Sequence, residues 1–265
     1  MKKFAKLITA GLLALLVFAA CGTNDADVDA DFGAFAEYSA AIRMTNLLPG
    51  DFGAVDASVQ VTGQIEFDDG TTQNNDQERT LRIIANGDDF RLRSAHMSGE
   101  LFALDAAIDI IGGEAVRAEM VWNTGDVSNF LEDEGDIDIG QLILSQGLHF
   151  NLVEIAESWL ISATTEIVGG QTHIDLLFEG RGLLDAMIRM AEGVGAEYLE
   201  EGLDHITIED YRVKLVLGED GLPRTMTTYM ESRAAEGVGE DVGFAVASNR
   251  FHVVFNAFGS DVIIE

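Results

Sequence analysis

The spacing of apolar side chains changes period along the chain, and the changes mark its elements. Over residues 34–48, AFAEYSAAIRMTNLL, Phe35, Tyr38 and Ile42 recur at helical spacing and Pro49-Gly50 follows. This predicts an amphipathic helix of about four turns, stopped by the proline. Over residues 57–67, ASVQVTGQIEF, the residues Ala57, Val59, Val61, Ile65 and Phe67 alternate with Ser58, Gln60, Thr62, Gln64 and Glu66. A period of two over that length predicts a long strand with one dry face. The closing stretch FAVASNRFHVVFNAF alternates in the same way through Phe251, Val253, Phe255 and Ala257.

Between these strands, turn dipeptides separate further strand-like runs. Asp69-Gly70, Asn86-Gly87, Gly112-Gly113, Gly169-Gly170 and Asp220-Gly221 each sit where a hairpin needs glycine at positive φ. Asn86-Gly87, between LRIIA and DFRLRS, is the clearest. Consecutive hairpins predict an antiparallel meander, because parallel strands need crossover helices that the pattern mostly lacks. Two insertions interrupt it. Residues 128–158 run from the acidic EDEGDID into IGQLILSQGLHFNLVEIAE, which reads as one or two short helices around Gly147. Residues 181–201 place Leu183, Leu184, Met187, Ile188 and Ala191 on one helical face. An apolar helical face must lie on something apolar, and the dry side of the sheet is available. The expected fold is therefore mainly β, in the α+β class: a curved antiparallel sheet or half-barrel with covering helices, forming a single domain over residues 34–265.

The start of the chain follows a different rule. In MKKFAKLITAGLLALLVFAACGTN, Lys2, Lys3 and Lys6 form a basic segment, Leu7 to Ala20 an apolar run short for a bilayer span, and Ala19-Ala20 the small residues before Cys21. This arrangement resembles a bacterial lipoprotein signal, residues 1–20, which would be removed as the Cys21 thiol is diacylated. Residues 21–33 then read as the lipidated cysteine and an acidic, solvated tether. Asp25, Asp27, Asp29 and Asp31 have the alternate spacing of a calcium loop, but the glycine and the glutamate such a loop requires are missing at the matching positions.

Composition narrows the partners. The chain carries 46 Asp and Glu against 16 Lys and Arg, a formal charge of −30, and loss of the leader with its three lysines makes the balance more acidic. Such a surface repels nucleic acid and anionic headgroups, so nucleic-acid binding is set aside and membrane attachment falls to the acyl chains on Cys21. With 47% hydrophobic residues the chain can still bury a sizeable core. Cys21 is the one cysteine, so no disulfide can form within the chain.

Catalytic patterns are absent. His96, His149, His173, His205 and His252 are scattered with no HExxH pair, and neither a GxSxG elbow, an SxxK box nor a phosphate loop after a strand occurs. Glu154 and Glu157 on a predicted helix form a carboxylate pair of the kind that chance supplies in so acidic a chain. No cofactor or metal site is expected, and the reading is non-enzymatic. More informative are the thioethers and aromatics: Met120 and Trp122 on one strand, Met187 and Met190 on the second insertion, Met226 and Met230 on another strand, and Phe255 on the last. Such residues either fill a core or line a hollow that accepts lipid chains of varied shape, and the pattern does not separate the two.

The whole order of parts resembles a known family. A lipidated cysteine and tether, a helix feeding a long strand, hairpins, a helical insertion, VKLVLGEDGLPRTMTTYM around Gly221-Leu222-Pro223, and a closing FHVVFNAFGSDVIIE with Asn256 are similar to the bacterial half-barrel lipoproteins of the LolA and LolB carriers and of LprG and LppX, a type that includes surface lipoproteins of Gram-positive bacteria. The resemblance implies binding or transfer of a lipid or acyl group between sheet and helices. The alternative is an interaction or scaffold lipoprotein with a filled core, whose acidic outer face holds a basic partner or cations.

Overall fold

The computed structural model describes residues 32–74, 76–98, 104–122, 127–129, 155–185, 205–235 and 244–264. Its first element, α1 (Phe32–Thr45), buries Ala34, Tyr38, Ala41, Ile42 and Thr45, a stripe with the three-four spacing expected of the sequence. The Thr45 hydroxyl bonds back to Ala41 O at 2.8 Å within the last turn, and the Leu48 N–H donates to Asp51 Oδ2 at 2.7 Å as the chain turns into the sheet.

Twelve strands follow: β1 (Phe52–Glu66), β2 (Thr72–Asn74), β3 (Gln77–Asn86), β4 (Asp89–Ser98), β5 (Leu104–Ile111), β6 (Glu114–Trp122), β7 (Val127–Asn129), β8 (Leu160–Val168), β9 (Gln171–Glu179), β10 (Ile206–Leu217), β11 (Pro223–Ala234) and β12 (Val246–Phe258). They form one antiparallel sheet in the order β7-β6-β5-β4-β3-β1-β12-β11-β10-β9-β8, with β2 beside β1 ahead of β3. The meander expected from the turn dipeptides is thus present as two arms. One leaves β1 through β3 and ends at β7, and the other begins at the far edge with β8 and returns to pair β12 with β1.

The sheet is curved and open. Along its order β1 and β8 are five steps apart, which on a flat sheet is about 24 Å, twice the width of a helix. Yet α1 packs on β1, β8 and β9 together, so this arm must curl around it. A ring cluster makes the contact: Phe178 of β9 lies 5.7 Å from Tyr38, 6.3 Å from Phe35 and 6.1 Å from Tyr211 of β10.

Turn chemistry sets the registers. Ile111 pairs with Glu114 and Val168 with Gln171, leaving Gly112-Gly113 and Gly169-Gly170 as two-residue loops, each with both φ values between 60° and 81°. That is the primed turn whose twist matches the strands. In the third hairpin Asn86 pairs with Asp89, so the loop is Gly87-Asp88, one residue beyond the dipeptide the sequence suggested. At the centre, Asn256 is the extra residue of a bulge on β12, and its amide donates to Asp56 Oδ1 and Ser58 Oγ on β1 at 2.9 and 3.1 Å.

Of the insertions, Val127–Asn129 extend the sheet as β7, and Glu157–Trp159 form a single 3-10 turn before β8. Residues 130–154 lie outside the described set. Residues 180–185 are helical, with Leu183 and Leu184 buried; the rest of the insertion read over 181–201 lies outside the described residues. Gly180 and Gly182 are required there by close approach: a Cβ would strike Ile208 O at the first and the Trp159 ring at the second.

Candidate ligand-binding face

Antiparallel register places directly opposed residues on the same face of a sheet, so the concave wall can be read in rows. One row runs Val59, Val253, Met226, Leu215 and Ile174 from β1 to β9, all buried. A neighbouring row runs Val61, Phe251, Thr228, Val213 and Leu176, and on the other side of β1 lie Leu81, Ile83, Phe90, Leu92 and Ile108, each at most 1% exposed. The dry faces expected from period-two alternation therefore join into one apolar surface.

Of the residues singled out from the sequence, Met226, Met230 and Phe255 fall on this wall and are buried. Met230 belongs with Tyr211 and Asn249 in the row toward Gly63, and Phe255 pairs with Ala57 at the central bulge, its ring 5.7 Å from Phe258. Met120 and Trp122 occupy β6 positions opposite Ala106 and Leu104 of β5. Cys21, Met187 and Met190 lie outside the described residues.

A polar group interrupts the wall. Arg79 pairs with Val59 on one side and His96 on the other, so it shares the phase of Leu81, Ile83 and Ala85 and belongs to the concave face. Its side chain is half-buried, with Nε and Nη2 fully enclosed and without a hydrogen-bond partner. Enclosed and unpartnered in the same way are His96 Nε2 and the hydroxyl of Ser94, which is two residues along β4. Burial pushes the Arg79 guanidinium down to about 10, which leaves it charged at neutral pH. The sequence carried a signal for this group, the period-two phase running back from Leu81, but the polar run TTQNNDQERT hides where the strand begins.

The convex face has the opposite character. Arg82 reaches Asp56 at 2.6 Å, Arg93 reaches Asp109 at 2.9 Å, Arg117 reaches Glu119 at 2.7 Å and Arg233 reaches Glu209 at 3.1 Å. Beside the last pair an open groove of about 340 Å³ runs past Tyr229 and Arg250, whose guanidinium stacks 5.5 Å from the Tyr229 ring. Among the described residues no group of three or more His, Cys, Asp or Glu could hold a metal ion, and no helix is long and apolar enough to cross a membrane.

No protein-family model matches the chain, and no curated protein matches it either. Solved structures of similar outline include a putative outer membrane lipoprotein-sorting protein domain from Vibrio parahaemolyticus, at 7% identity and TM-score 0.26 over 87% of this chain and 94% of that one. A LolA superfamily protein from Nitrosomonas europaea aligns at 8% identity and TM-score 0.23 over 85% and 92%. MucB, in complex with MucA, aligns at 12% identity and TM-score 0.30, the match spanning 85% of this chain and 56% of MucB.

Proposed function

We propose that this protein is a membrane-anchored, extracytoplasmic lipoprotein of the Gram-positive surface type, held by diacylated Cys21, that binds a lipid or acyl chain non-covalently against the concave face of its half-barrel. The observation that supports this best is the apolar wall of β1, β3–β5 and β9–β12, interrupted at Arg79 and its neighbours on β4, on a sheet whose edge strands β7 and β8 do not pair with each other. The chemistry of such a wall suits an acyl chain. Met226, Met230 and Phe255 supply polarizable, adaptable contact within it, and Met120, Trp122, Met187 and Met190 are assigned to the same surface. The protein is a carrier or receptor in this reading, with no reaction of its own.

The test is native mass spectrometry of protein made in a Gram-positive host. Co-purified lipid, and uptake of a fluorescent fatty acid after delipidation, are expected; absence of both overturns the reading. Cys21→Ser should leave the circular dichroism spectrum unchanged and move the protein from the membrane to the soluble fraction. Continued tight membrane association of that variant would count against the anchor.

A second reading is a scaffold that meets a basic partner through its outer face. It is favoured by the excess acid there: Glu209 and Glu231 share the single Arg233 at the edge of the outer groove. Salt-sensitive binding of a cationic peptide, with no lipid uptake, would establish it instead.

A further inference from the structure

We propose that the ligand of the concave face is an anionic amphiphile, whose acidic head, a carboxylate or phosphate, is held by the Arg79 guanidinium beside His96 and Ser94 while its chain lies along the apolar rows of β1 and β12. This rests on the lipid-binding reading above and names the class of lipid.

Four observations meet here. Arg79 lies on the dry side by register, between Val59 and His96. Its two enclosed, unpartnered atoms, Nε and Nη2, form one edge of the guanidinium, and their N–H bonds point the same way. That edge matches the two oxygens of a carboxylate or phosphate. No carboxylate is among the buried residues described, although the chain has 46 acids and Arg82 and Arg93 of the convex face find theirs. A guanidinium does not neutralise by losing its proton at neutral pH, so an enclosed one calls for an anion. Ser94, itself 4% exposed, and His96 add two further enclosed polar atoms without partners in the same corner. Opposed residues stand about 5 Å apart at Cβ, so Arg79 and His96 can reach one head group together.

The experiment compares dodecanoate with dodecanol, which share a chain and differ in the head, on delipidated wild-type protein and on Arg79→Gln, with inorganic phosphate as a third probe. Wild type should take dodecanoate at least about tenfold more tightly than dodecanol, as a bidentate charge-assisted contact allows. In Arg79→Gln that ratio should fall close to one. A ratio near one in wild type, or an undiminished ratio in Arg79→Gln, overturns the head-group assignment and leaves lipid binding standing. Wild type that takes up neither compound overturns both. Phosphate that raises the wild-type melting temperature, with no preference for a chain, would make this a free-anion site and overturn the amphiphile. Should Arg79→Gln fail to fold, Arg79→Lys keeps the charge and loses the fork, and its ratio should be intermediate; a wild-type ratio there overturns the bidentate contact.

Discussion

The same row of the concave wall has different chemistry on the two sides of β1. From Val59 toward β12 it continues as Val253, Met226, Leu215 and Ile174; toward β3 it continues as Arg79 and His96. Both sides are antiparallel and each carries one Gly-Gly hairpin of the same type, so strand direction does not impose the difference. It lies in single positions of a period-two pattern, and composition alone would never locate it. The β12 side is also the one that α1 clamps, through Tyr38 and Phe35 on Phe178. One flank is therefore closed by rings from within the described chain, and the other presents an uncompensated charge.

The most severe way to break the contrast is to remove the clamp. Phe178→Ala deletes a fully buried ring that touches Phe35, Tyr38 and Tyr211, and should cost about 3–5 kcal/mol of stability in urea unfolding. A loss below about 1 kcal/mol would mean that the ring does not hold α1 to the sheet. On the opposite flank the sign should reverse. Arg79→Met replaces an enclosed, unpartnered charge by a chain of similar volume and should stabilise the delipidated protein by about 1–3 kcal/mol. Destabilisation by a similar amount would show that the folded chain already compensates the guanidinium.

How much of this was legible in the sequence depends on the range of the interaction. Local signals carried: α1, the alternation of β1 and β12, and the glycine turns were all readable, since a helix stripe, a pleat and a primed turn are set by neighbours in the chain. The pairing of β1 with β12 was not, because Val59 and Val253 are far apart in sequence and nothing local encodes their register. Once that pairing and the one with β3 are known, Arg79 falls on the dry face without further choice. A reader of the sequence could have extended the phase of Leu81, Ile83 and Ala85 back to it. The polar residues before it look like a loop, however, and the dry face of one strand predicts an apolar residue at that position. Met226, Met230 and Phe255 are buried on the wall, and the thioether pattern by itself does not say whether they fill a core or line a hollow.

A smaller test asks whether the two flanks are locally equivalent. Gly112 and Gly169, each the first residue of its two-residue loop, both hold φ of 60° in matching turns on opposite arms, and a Cβ at either would meet open space. Replacing either by alanine should therefore cost the left-handed backbone strain alone, about 1 kcal/mol each and equal on the two arms. Unequal losses in urea midpoints would reveal that one hairpin contributes tertiary contacts the other lacks.

The smallest effect expected is one of pH, and it sits on the convex side of the central pair. His252 Nδ1 lies 2.8 Å from the Thr227 hydroxyl, and desolvation, with Arg250 nearby as the lesser cause, holds the imidazole below its ordinary value of 6.5. Above 6.5 the ring is neutral in folded and unfolded chains alike and its titration contributes nothing to the pH dependence. On acidification below 6.5 the unfolded chain binds the proton first, so stability falls until the depressed folded value has been passed. Asp69 and Asp220, lowered by hydrogen bonds from Thr71 and Leu222 respectively, act in the same direction but in a separate window, below their ordinary value of 3.8. The difference between wild type and His252→Asn, followed by urea midpoints from about pH 7.5 to about pH 5, isolates the histidine. Wild type should lose more stability than the variant across that range. Parallel curves would mean that the imidazole is as free to take its proton in the fold as outside it.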